Sequence, residues 1–95
     1  MRFSTAAVMS MYSGVLLCDN MTPMIDFMCF MVDNEYLTTV ALKPTAEFLR
    51  PRLEEQHPLV ERLTIQKDED SETFLGRCIA ILGKDLWIDK VWNSG

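Results

Sequence analysis

Between Thr22 and Asn34 the chain reads TPMIDFMCFMVDN, and eight of the nine residues from Met24 to Val32 are apolar, with Asp26 alone interrupting them. A helix is the expected form. Thr22 is the expected cap, Pro23 suits a first helical position that needs no amide donor, and Asp26 lies near the positive end of the dipole. Asn34 is the expected left-handed stop. A helix that is apolar all round has no solvent face, so this segment is expected to form the centre of the fold or half of an intermolecular contact.

The length sets the scale of what can cover it. Ninety-five residues make one domain, and a domain of this size hides only about two thirds of its unfolded surface. Surface economy therefore makes a homodimer the expected assembly. Residues 1–95 are read as one compact unit, with 93–95 as a loose tail.

Along the chain, Ser4 and Gly14 bracket a short helix carrying Ala6, Ala7, Val8, Met9, Met11 and Tyr12. Val15 to Cys18 is a short apolar run closed by the turn pair Asp19-Asn20. Tyr36 to Leu42 suits a short strand or extended loop. From Pro44, Ala46, Leu49, Leu53 and Val60 share a helical face, and Pro51 predicts a kink or two short helices ending at His57-Pro58. The acids Asp68, Glu69, Asp70 and Glu72 supply the cap and dipole partners of a last helix that Gly83 ends. Leu86 to Trp92 alternates and is the strongest strand, with Trp87 facing the core. The fold class expected is α+β and helix-dominated, with three to five short helices and a minor two- or three-strand pairing.

Composition excludes several functions. The net charge is −5, and Arg50 and Arg52 are followed at once by Glu54 and Glu55, so there is no basic row to neutralise phosphates and no nucleic-acid partner is expected. No apolar run reaches membrane-spanning length. Ser4, Thr5, Ser10, Tyr12, Ser13 and Gly14 break the apolar stretch after Arg2, so no export signal is expected either. Cys18, Cys29 and Cys78 lack CxxC spacing and read as buried thiols of a reducing cytosol.

Little chemistry is spelled out. His57 is the single histidine, set at a helix end where an imidazole meets terminal carbonyls. A nucleophile built from His57 and a cysteine needs a lowered thiol pKa, whereas two of these thiols sit in apolar company. The acidic run lacks the glycine turn and final ligand of a calcium loop, and zinc spacing is absent. No catalytic residue, cofactor or metal site is therefore expected. All seven methionines fall between residues 1 and 31, and such side chains fill gaps in cores or adapt to partner surfaces. Met24, Phe27, Met28, Met31, Tyr36 and Trp92 are the candidate protein-interface residues.

The ordered set Phe3-Ser-x-Ala-x-Val-Met-Ser-x-x-Ser-Gly14-x-Leu-Leu-Cys18, then Met31 before a turn, then Arg50-Pro51-x-Leu53-x-x-x-His57-Pro58-x-Val60 carries a resemblance. It resembles an uncharacterised family of short proteins encoded by tailed phages and prophages. Where those relatives have a Thr-Gly-Asp turn, this chain has Val32-Asp33-Asn34. The resemblance implies a phage product acting in the host cytoplasm of an infected cell. A non-enzymatic protein that binds another protein is the first expectation, with a host defence system such as restriction, BREX or CRISPR as target. A virion assembly accessory is the alternative, and a Cys/His enzyme ranks below both.

Overall fold

A computed structural model describes residues 1–89. The chain opens with strand β1, Arg2–Ser4, and passes without a loop into helix α1, Thr5–Ser13. The Ser4 side chain accepts from the Ala7 amide at 3.2 Å, and Gly14, left-handed at φ 78°, ends the helix by returning its amide to the Ser10 carbonyl. Helix α2 runs Thr22–Val32, α3 Thr39–Gln56 and α4 Ser71–Leu82, with a 3-10 turn at Pro58–Arg62. Strand β2, Asp85–Trp87, returns antiparallel to β1 and sets Phe3 against Leu86. The architecture is thus helix-dominated α+β with a two-stranded pairing.

The centre of the molecule is α1, not α2. Six of its residues are buried (Thr5, Ala7, Val8, Met9, Ser10 and Met11), and it touches α2, α3, α4 and both strands. In α2 only Phe27, Met28 and Met31 are fully buried, while Met24, Ile25, Cys29, Phe30 and Val32 are partly covered and Asp26 faces solvent. The apolar centre of α2 is covered by its own chain, so hiding it requires no second copy.

Cap positions shift by one residue from expectation. Thr22 is already helical, and its amide is taken by the Asn20 side chain at 2.9 Å. Asp33 adopts the left-handed stop at φ 53°, which frees the Asn34 amide to bond the Cys29 carbonyl at 3.0 Å.

Of the short strand or extended loop expected over Tyr36 to Leu42, residues 36–38 form a loop and no strand, and the rest is helical. Thr38 is extended and α3 begins at Thr39, because Leu42 joins Ala46, Leu49 and Leu53 on one helical face. Pro44 and Pro51 remain inside a single helix. Each removes a donor to the carbonyl four residues earlier, and those carbonyls belong to Val40 and Glu47, both exposed residues.

Strand phase also differs. Leu86 and Ile88 are buried, and Trp87 is 61% exposed, its indole donating to Asp89 Oδ1 at 3.1 Å. The pairing of Phe3 with Leu86 sets this phase, and Phe3 in turn packs edge-on to Phe27 at 5.4 Å. Val91 and Trp92 lie outside the described residues.

Local acids are used as expected and once beyond expectation. Asp70 caps α4 by accepting from the Thr73 amide at 2.7 Å. Glu69 takes two hydrogen bonds from Arg77, both 2.7 Å, while Arg77 also donates to the Thr64 carbonyl and lies over the Phe74 ring. The Arg77 guanidinium holds the Glu69 carboxyl below its usual range.

Candidate functional site

Three helices and one loop enclose a cleft of about 410 Å³, within the roughly 300–1,000 Å³ typical of ligand sites. Helix α1 contributes Ser10 and Met11, α2 contributes Met24 and Met28, and α3 contributes Leu42, Lys43, Ala46, Glu47 and Arg50. Gly14, Leu16 and Met21 close it from the α1–α2 loop. Four of these side chains are methionines, so the wall is apolar and able to change shape.

Ser10 positions that loop. Its hydroxyl donates to the Ala6 carbonyl at 2.7 Å and accepts from the Leu17 amide at 2.8 Å, with Cys18 Sγ 3.8 Å away. The loop is thereby tied to α1 while Leu16 and Met21 stay 44% and 43% exposed at the cleft mouth. Ser10→Ala leaves the Leu17 amide unpaired. We expect it to cost about 1–3 kcal/mol in urea unfolding and to speed amide exchange at Leu17; unchanged exchange would show that the loop is held by other contacts.

Behind Arg50 lies a second, more polar hollow lined by Tyr12, Ser13, Glu54 and Thr64. The Tyr12 hydroxyl donates to Glu54 at 2.7 Å. Burial first, then the Glu54 carboxylate, pushes the Tyr12 phenol from 10.0 up to about 12. A pKa raised by folding means that this contribution is intact below the unfolded value of 10.0 and disappears as pH climbs through about 12. Tyr12→Phe should cost about 1 kcal/mol near neutrality and should flatten the alkaline fall of stability. Equal slopes for both proteins in denaturant melts above pH 10.0 would refute the assignment.

The structure separates the sequence candidates. Met24 and Met28 line the cleft, Phe27 and Met31 lie in the core, and Tyr36 stands outside at 71% exposure. As core side chains, Phe27 and Met31 are closed to any partner in this fold, and Met28 presents only an edge to the cleft. Trp92 lies outside the described residues. Leu16, Leu42, Lys43, Ala46 and Arg50 also line the cleft and were not among the interface candidates read from the sequence. The helical spacing of Leu42 and Ala46 with Leu49 was the available signal.

The other chemistry-bearing groups are dispersed. His57 Nε2 lies 2.7 Å from the Trp87 carbonyl, and Gln56 exchanges two hydrogen bonds with the Asp89 backbone, both 2.9 Å. These side chains hold the outer edge of β2. All three cysteines are free thiols. Burial raises the pKa of Cys29 and of Cys78, with Asp26 adding to the effect at Cys29, which works against thiolate formation. Among the described residues, no three His, Cys, Asp or Glu side chains group to hold a metal ion. No helix among them is long and apolar enough to cross a membrane.

Fold and cleft together define a small helix-dominated α+β domain with an open apolar pocket. Residues 3–63 match the family described as a domain of unknown function, DUF7736, and the chain belongs to that family. The matched region contains every residue that lines the cleft, whereas α4 and β2 follow it. No curated protein and no solved structure matches the chain.

Proposed function

We propose that this protein works by contact, taking apolar side chains of another protein into the cleft between α1, α2 and α3. The observation that carries this reading is the methionine-lined apolar hollow, with Leu16 and Met21 half-exposed in its lining. The resemblance to short phage and prophage proteins supplies the setting, an infected cell. The target class we put first is a component of a host anti-phage defence system, such as restriction, BREX or CRISPR machinery.

The test is capture of one defined host protein by wild-type chain and by the Leu16→Glu/Met21→Glu double variant. Both positions are half-exposed, so the variant should fold. We expect recovery of the target to fall at least tenfold while the melting temperature holds. Equal recovery by the two proteins would remove the cleft from the reading.

A further inference from the structure

The cleft carries an electrical sign opposite to that of the molecule. The chain has net charge −5, yet the charged groups lining the cleft are Lys43, Glu47 and Arg50, two cations against one carboxylate. All three sit on α3, at exposed positions. Among the described residues neither Lys43 nor Arg50 takes part in an ion pair, the pairs present being Arg52 with Glu55 and Arg77 with Glu69. Glu54, four residues beyond Arg50, accepts from the Tyr12 hydroxyl and lines the neighbouring hollow, not the cleft.

Spacing adds direction. Lys43 and Arg50 are seven residues apart, two helical turns, which is about 10 Å along the α3 axis at 1.5 Å per residue. The same cleft is lined by Met24, Met28 and Ala46 and by the half-exposed Leu16 and Met21. A ligand that satisfies both features has an apolar face and negative groups about 10 Å apart along one edge, matching the two cations. An isolated fatty acid carries one carboxylate and meets only one of them.

We propose that the occupant is an amphipathic helix of a partner protein, its apolar anchors in the methionine-lined cleft and two carboxylates, seven residues apart, facing Lys43 and Arg50. The helix lies along α3, since only that direction brings both carboxylates to both cations. This rests on the reading of the cleft as a protein-binding site and adds the chemistry of the partner. The attraction at the solvent-exposed rim is screened by salt, so it acts mainly on selectivity.

The probes are two synthetic helical peptides with the same leucine anchors, one bearing a Glu pair seven residues apart and the other a Lys pair, with decanoate as a third ligand. Binding is read by fluorescence anisotropy and by competition. The Glu peptide should bind at least tenfold tighter than the Lys peptide at low salt, with the gap narrowing as salt rises. Lys43→Glu/Arg50→Glu, checked for an unchanged melting temperature, should reverse the order. Equal affinities for the two peptides, lost together in Leu16→Glu/Met21→Glu, would overturn the charge inference and leave the apolar cleft standing. Decanoate binding without either peptide would overturn both, in favour of a small amphiphile. Failure of all three probes would count against the cleft as a binding site.

Discussion

Phe27→Ala should remove about 3–5 kcal/mol of stability, out of a total near 5–14 kcal/mol for a domain of this length. The ring is fully buried and meets Phe3 edge-on with centroids 5.4 Å apart and an interplanar angle of 70°. Phe3 also packs against Phe30 at 5.2 Å, so Phe27 supports the strand pairing from below as well as filling the core. Two losses therefore add: the cavity left by the ring, and an edge-to-face contact worth roughly 0.5–1.5 kcal/mol. The Phe48 ring provides the comparison, since it is half-exposed on α3 with Arg52 stacked 5.2 Å from its centroid. Phe48→Ala should cost about 1 kcal/mol or less. Urea unfolding followed by tryptophan fluorescence measures both. A Phe27→Ala protein of native stability that had lost only partner binding would place this ring in an interface instead of the core.

Local signals were legible where the chain satisfies itself locally. Ser4 and Gly14 bracket α1, and Asp70 and Gly83 bracket α4, because a cap needs only residues three or four positions away. Features that depend on distant partners were not. Phe3 becomes a strand residue through Leu86, and the amide of Thr5 bonds the Lys84 carbonyl at 2.8 Å, contacts that span most of the chain. The phase of β2 followed from that pairing, which is why Trp87 turns outward. The first turn of α3, ahead of the helix expected from Pro44, was hidden for a different reason: Thr38, Thr39 and Val40 favour extended backbone, while Leu42 supplies the inward face that decides that turn.

The site follows the same division. Met24 and Met28 were legible as apolar, adaptable residues, but the cleft exists only because Ser10 ties the Leu17 amide to α1 and because α3 begins early enough to bring Leu42 and Lys43 to the rim. A pattern in one segment does not record a hollow formed by three. Arg50 was read as a base followed by acids and as the start of the Arg50-Pro51-x-Leu53 motif, and its position between the apolar cleft and the Tyr12 hollow comes from packing.

Filling the cleft from within separates a binding site from a gap in packing. Ala46 lines it from α3, half-buried, and an aromatic ring grown from that position enters space already present. Ala46→Phe should therefore leave stability within about 1 kcal/mol of wild type, or raise it, since added apolar surface finds partners without forcing the walls apart. Its effect on partner capture should be large, a loss of at least tenfold, equivalent to about 1.4 kcal/mol, because the ring occupies the volume that a partner's anchor needs. The pairing of outcomes is the diagnostic. Stability held with binding lost identifies the hollow as the working surface, and calorimetric melting alongside quantitative capture reads both. Stability held with binding intact shows that the partner docks elsewhere on the molecule. A fall of about 2–3 kcal/mol would mean that the walls close on each other in solution and that Ala46 is ordinary core.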